Sequence, residues 1–470
     1  MAWPRHPFIY EINTWPWLTE LGARGQTPID LSDVPGPRWD AIAEAGFDAV
    51  WLMGVWQRSA AGVAVALADP DLVGSFRQAL PDWTPDDVVG SPYCIRDYVV
   101  DPRLGGRSGL AAARVALADR GLALVLDFVP NHVAPDHPWT STHPEYFVRG
   151  TSDDLLADPG SYLEFDGTVW ANGRDPYFPA WRDVLQLNAF HSGVRDRAID
   201  TLRDVADQCD GVRCDMAMLV TNDVFARTWG ERVGEAPSTD YWTEVIGAVR
   251  RAHPDFAFIA EAYWGTEESL LHQGFDWSYD KGWYDGIVAG DADGLRTRLT
   301  ADALARGRSV RFVENHDEPR AAAIMDPAKT RAAMVATMTQ PGVRLVHHGQ
   351  FEGRKVHLPV FLGRSPREDI DAESASFHRE LFATLRDTTF RAGAWRPCEP
   401  SGELLAWGWE GERRRLVVVN LSAATASGVV RAPWDGPAPG LHVELDPWGW
   451  QILEATSGHP LGLAVGPVEP

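Results

Sequence analysis

Short apolar runs recur along the chain, and most are followed by a longer stretch whose apolar residues return at helical spacing. The runs lie at residues 8–12, 47–53, 122–129, 211–217, 256–261, 274–279, 309–314 and 342–347. Residues 38–45, 110–120, 194–206, 241–252, a segment ending at about 306, and 377–386 have the helical pattern. Gly46 and Gly121 stand where a left-handed cap would end the first two. The run 122–129 is nearly all apolar, as suits a parallel strand covered on both faces. Two stretches break the alternation. Residues 54–109 and 130–188 are rich in Pro, Asp and Gly, and the second reads as an inserted lobe without a clear helix. From about 394 the period becomes two, as in 404–409 and 415–420, which predicts a small antiparallel domain.

Eight strand-then-helix units predict an α/β fold, a (β/α)8 barrel enlarged by loop insertions. A doubly wound open sheet would require a glycine fingerprint at an early strand-to-helix turn, and none is visible. The expected organisation is a catalytic barrel over 1–130 and 189–392, an inserted B domain over 131–188 after the third strand, and a C-terminal β-sandwich domain over 393–470.

Composition narrows the partners. Of 470 residues 45% are apolar, with 21 Trp, so a large core can be buried. The formal charge of −23 excludes nucleic acid and anionic membranes as natural partners. The four cysteines, Cys94, Cys209, Cys214 and Cys398, have no metal-ligand spacing and imply no disulfide framework. The N-terminus lacks the apolar run of a signal peptide, and no stretch of about 18 apolar residues marks a membrane span. The expected compartment is cytoplasmic, and the oligomeric state is left open.

The chemistry lies where a barrel enzyme keeps it, at the C-terminal ends of strands. Asp127, Asp215, Glu261 and Asp317 all fall there. In a strand, Arg213 and Asp215 face the same side, and an adjacent cation favours an ionised carboxylate. Asp215 therefore suits a nucleophile. Glu261 follows Phe-Ala-Phe-Ile-Ala, and apolar surroundings raise a glutamate's pKa, as a general acid needs. Asp317 can hold sugar hydroxyls and stabilise a cationic transition state.

Four motifs in order, Asp127-Phe-Val-Pro-Asn-His132, Gly211-Val-Arg-Cys-Asp215, Glu261, and Phe312-Val-Glu-Asn-His-Asp317, resemble those of the α-amylase family of glycoside hydrolases, family 13. The resemblance implies a retaining α-glycoside hydrolase acting on maltooligosaccharides or related α-glucosides, with Asp215 as nucleophile, Glu261 as acid/base and Asp317 as the third carboxylate. It implies that Tyr93 stacks on the sugar being cleaved, and that Asp127, His132, Arg213 and His316 complete its binding site. The alternative is an α-glucosyl transferase, of transglycosidase or phosphorylase type, using the same carboxylates. A binding protein on the same fold is disfavoured by the intact set.

The chain also departs from the family. Met218 and Leu219 occupy positions where many members carry a Lys-His pair touching leaving-group sugars, which predicts a more apolar cleft wall and a preference for short α-glucosides. Gln186 stands where an Asp is common, and Leu219 where a ligating His is common. Asn131 alone remains of the family's calcium ligands, so calcium is not favoured and no cofactor or metal ligand is expected. Asp153, Asp154 or Asp158 could substitute.

Overall fold

The computed structural model describes residues 3–25, 27–300, 307–434 and 440–455, with the backbone of the strand Gly462–Val465. Residues 301–306 of the expected sixth-unit helix, and part of the expected 393–470 domain, lie outside these limits.

All eight apolar runs become parallel strands: β1 (Phe8–Asn13), β2 (Ala49–Met53), β3 (Ala123–Phe128), β4 (Gly211–Cys214), β5 (Ala257–Ala260), β6 (Trp277–Tyr279), β7 (Ser309–Arg311) and β8 (Val343–His347). Each pairs with its sequence neighbours, and β1 pairs with β8, so the sheet closes. Side chains alternate inward and outward along each strand. A small cavity inside the barrel is lined by a residue from every strand: Ile9, Trp51, Val125, Arg213, Ile259, Tyr279, Val310 and Leu345. Seven are apolar or aromatic. Arg213, from β4, is the charged member, and its guanidinium lies over the rings of Trp51 (5.4 Å) and Tyr279 (5.7 Å). Gly211 opens β4 where β5 packs closely against it. A Cβ there would lie 3.0 Å from that of Ala257.

The first helix predicted after β1 runs Gly36–Ala45 and ends at Gly46 with φ 95°. The stretch 54–109 contains two helices not expected from its composition, Ala60–Ala68 and Pro70–Ala79. Ser59 and Asp69 cap them, their side-chain oxygens accepting from Gly62 N and from Asp71 and Leu72 N. The inserted lobe is built on a four-stranded antiparallel sheet of His132–Val133, Trp181–Gln186, Thr168–Gly173 and Tyr162–Phe165. It also has two short helices, Trp139–Thr142 and Ser152–Ala157, where none was clear from the sequence.

After the barrel, a five-stranded antiparallel sheet and a two-stranded one pack face to face over Leu404, Ala406, Leu416, Val418, Val443 and Leu445. On the other face of the larger sheet, Trp407 and Trp409 donate their indole N–H to Thr339 of the barrel, at 3.2 and 2.8 Å. The fold is the predicted barrel carrying additional antiparallel sheets.

Candidate active site

The mouth of the barrel is assembled by strand register. Arg213 pairs with Asp127 across β4 and β3 and with Ile259 across β4 and β5. The ladder continues one residue further: Asp215 N donates to Phe128 O, and Glu261 N to Cys214 O. The carboxylates that follow these strands are therefore delivered side by side by backbone pairing.

Arg213, fully buried, gathers them. Its Nη1 lies 2.7 Å from Asp215 Oδ1, and its Nη2 lies 2.8 Å from Glu261 Oε1 and 3.7 Å from Asp317 Oδ2. Asp127 does not touch the guanidinium. It accepts from Trp51 Nε1 (3.1 Å) and from Gly54 N (2.8 Å), the latter aimed by a turn in which Gly54 has φ 76°. Met216, immediately after Asp215, has φ 41° and donates its backbone N–H to Glu261 Oε2 at 2.5 Å. A left-handed residue there is uncommon outside glycine. It ties the peptide that follows Asp215 to the Glu261 carboxylate.

The four carboxyls differ in how readily they ionise. Burial pushes Glu261 up to about 7, opposed by Arg213 and reinforced by Asp215 and Asp317. Burial also raises Asp215, to about 6, and here the Arg213 charge and hydrogen bond both oppose it. Asp127 is raised by burial to about 6. Asp317, two-fifths of whose side chain is open to the cleft, moves the other way. Against burial, His316 first and then Arg213 hold it down to about 2.

His316 is clamped on both ring nitrogens. Nε2 lies 3.0 Å from Asp317 Oδ2 and 2.6 Å from Tyr93 Oη, and Nδ1 lies 2.5 Å from Glu11 Oε1. The two carboxylates outweigh burial and raise the imidazole to about 10, so it is an imidazolium at neutral pH. His132 is the contrary case. Burial lowers it to about 3 and keeps it neutral, beside the Trp181 ring at 5.3 Å. Tyr93 lies with its ring over Arg213 at 5.2 Å. The structure thus brings Asp215, Glu261, Asp317, Tyr93, Arg213 and His316 into one contiguous cluster. Asp127 sits one register step away, and His132 stands on the first strand of the inserted lobe.

Two participants were not selected from the sequence. Glu11, fully buried near the end of β1, is the far anchor of His316. Its signal was available: a lone carboxylate in an apolar run, as with Asp127 in β3. Tyr263 donates to Glu261 Oε1 at 2.9 Å from two residues along the same loop.

Met218 and Leu219 do not wall the cleft. They lie in a 3-10 turn, Ala217–Val220, and are buried in the barrel's outer core. The turn directly after β4 carries them into the core, so they give no support to a preference for short substrates.

At the candidate calcium position, Asn131 and Gln186 use their amides on each other. Gln186 Nε2 donates to Asn131 O and Oδ1, both at 2.9 Å, and Gln186 Oε1 accepts from Asn131 Nδ2 at 3.2 Å. Asp154, a possible substitute ligand, is bound through both oxygens by Arg232 at 2.6 and 2.9 Å. A calcium site wants six to eight oxygens with carboxylates among them, and these residues do not fit one. We expect chelation by EDTA, and calcium addition afterwards, to leave the melting temperature unchanged. A sharp fall reversed by calcium would contradict this.

The model of the α-amylase catalytic domain matches residues 37–274, half of the chain. The chain belongs to the α-amylase family. It is 26% identical over 368 residues to an α-amylase of Haloarcula japonica, covering 75% of this chain and 45% of that one. It is also 26% identical over 204 residues to an α-1,4-glucan:maltose-1-phosphate maltosyltransferase of Burkholderia pseudomallei, covering 42% of this chain and 15% of that one. The chain thus spans less than half the length of the curated relatives it matches first. Among solved structures, an α-amylase from Lactobacillus plantarum superposes with a TM-score of 0.67 at 20% identity, covering 97% of this chain and 96% of that one. This family of hydrolases and transferases shares the barrel described above. Among the described residues, no helix is long and apolar enough to cross a membrane.

Proposed function

We propose that this α-amylase family member is a retaining α-glycoside hydrolase that cleaves α-glucosidic bonds of maltooligosaccharides or related α-glucosides. The observation that carries this reading is one guanidinium with Asp215 on one terminal nitrogen and Glu261 on the other. Carboxyls gathered in this way suit the separation of about 5 Å that double displacement needs, in which no water has to fit between sugar and base.

In the first step Asp215 attacks C1 of the bound sugar while Glu261 gives its proton to the departing oxygen. In the second, Glu261 takes a proton from water, whose oxygen replaces Asp215 at C1. The ordering of the two acids supports these roles, since Glu261 keeps its proton to higher pH than Asp215. Asp317 and the His316 imidazolium would bind neighbouring hydroxyls of the same sugar, Tyr93 would pack on its ring, and Asp127 and His132 would close the far side. The Burkholderia relative, a maltosyltransferase, supports a related outcome, in which a saccharide hydroxyl resolves the same intermediate.

Two measurements test the reading. Proton NMR of maltotriose cleavage should give the α-anomer first, and an initial β-anomer would overturn it. The pH profile of kcat/KM should rise as Asp215 ionises through about 6 and fall as Glu261 loses its proton through about 7, leaving a narrow optimum between them. A flat profile from pH 5 to 9 would contradict the assignment of both groups.

A further inference from the structure

Behind the nucleophile, where the barrel and the inserted lobe meet, lies a pocket that the sugar chemistry does not use. Its volume is about 210 Å³, whereas protein interiors keep few voids larger than a water molecule. The floor is apolar: Phe128 and Val129 from the end of β3, Val133 and Leu187 from the lobe, and Val194 and Ala198 from the helix Ser192–Ala206. All six are buried. At the rim stand Asp97, Pro138, Trp139 and Thr201, each at least partly exposed.

Two hydrogen-bonding groups interrupt the apolar wall. Tyr241 opens the helix Tyr241–Arg250 and is fully buried, and its hydroxyl has no hydrogen-bond partner among the described residues. Tyr98 lines the same pocket but cannot serve it. The Tyr98 oxygen accepts from Val129 N at 2.8 Å, and its proton goes to Val129 O at 3.2 Å. A buried hydroxyl left unpaired is costly, and in a native structure it calls for an explanation. His137 is the second group. Its Nδ1 accepts from Trp139 N at 3.1 Å, and burial lowers its pKa to about 4, so the ring is neutral with its proton on Nε2.

These groups define the occupant. An apolar cavity of about 150 Å³ is enough to hold benzene, so a single ring fits. Tyr241 and His137 each have a proton to donate, so the ring must carry an acceptor. Asp97 is the only charged side chain among the described residues of the lining, and it opposes an anion. A hexose is excluded, since most of its hydroxyls would face Phe128, Val133, Leu187 and Val194 without partners. We infer that this pocket binds a small neutral ring compound bearing one hydrogen-bond acceptor, such as an aromatic ketone, with Tyr241 as the donor. The pocket is separate from the saccharide site yet adjoins it through one residue: Phe128, part of its floor, also accepts the backbone N–H of Asp215 at 2.8 Å. The inference does not depend on which glycoside the enzyme cleaves.

The test uses two probes of one shape, acetophenone and α-methylstyrene, which carry a carbonyl oxygen and a CH2 group at the same place. Their dissociation constants are read by ligand-observed NMR titration of the full chain. Tyr241→Phe removes the hydroxyl and keeps the ring. It should weaken acetophenone about fivefold to tenfold, the worth of one buried hydrogen bond, and leave α-methylstyrene within about twofold. The variant should also melt no lower than wild type, because the hydroxyl it loses is unpaired. Ala198→Leu, which places a larger side chain in the floor, should abolish binding of both probes. If that variant does not fold, Tyr241→Phe decides alone. Equal weakening of both probes in Tyr241→Phe, or of neither, overturns the inference. So does a Tyr241→Phe protein that melts well below wild type, since its hydroxyl would then have been paired within the protein. Wild-type protein that binds neither probe up to the solubility limit overturns it as well, as does folded Ala198→Leu protein that binds both as tightly as wild type.

Discussion

Asp215→Asn should lower kcat/KM for a maltooligosaccharide by about 10⁴-fold or more, with the melting temperature within a few degrees of wild type. The magnitude is that of removing one member of a group that acts as a unit. Asn keeps the shape and can still accept from Arg213, so the loss lies in the attacking oxygen. Glu261→Gln separates the two steps. It should lose saccharide cleavage to a similar degree yet still release fluoride from an α-glycosyl fluoride, because that leaving group needs no proton. Loss of fluoride release in Asp215→Asn and its survival in Glu261→Gln would fix which carboxylate does which task. The reverse pattern would exchange them.

Arg213→Met should be the more disruptive substitution for the protein as a whole. Met fills much of the same volume, but Asp215, Glu261 and Asp317 then lose their common cation. Removing one partner of a buried ion pair costs about 3–5 kcal/mol when the other stays charged. Here the carboxyls can escape by taking up protons: Asp215 and Glu261, already raised, move further above their unfolded values, and Asp317 loses part of what holds it down. An acid with a raised folded pKa is destabilising once pH climbs past its unfolded value. The variant should therefore melt closer to wild type at pH 5 than at pH 8. Its residual activity, down about 10³-fold as for loss of a principal electrostatic contact, should have its acidic limb displaced to higher pH. Equal melting temperature deficits at both pH values would show that Arg213 acts through packing alone.

The eight strands were legible because each run is short, apolar, and followed by helical spacing or a breaker-rich loop. The order of strands around the barrel then followed from chain order. Carboxylates at the ends of β3, β4 and β5 were legible for the same reason, since a charge is conspicuous at the edge of an apolar run. Helix Ala60–Ala68 was hidden because its sequence, Ala-Ala-Gly-Val-Ala-Val-Ala-Leu-Ala, is apolar on every side and has no amphipathic period. Met218 and Leu219 misled because adjacency to a nucleophile along the chain was read as adjacency to the cleft, and a single turn of 3-10 helix separates the two. Glu11 carried the same signal as Asp127. Its partner, however, stands 305 residues away and becomes visible only when the first and last strands meet.

That separation has a consequence for how activity arises during synthesis. His316 gets its second carboxylate from the barrel strand that is made first. At about 5–20 residues per second, Glu11 waits roughly 15–60 s for its partner to be made. Through that interval β1 has an unpaired edge on the side that β8 will cover, and a buried-to-be carboxylate in contact with water. No nascent fragment ending before residue 316 can assemble the site, and the contact that completes the imidazolium is also among the longest in sequence, the kind that slows folding most. The gain of catalytic turnover would therefore report closure of the cylinder itself, a functional clock for the last topological event in the life of the young chain.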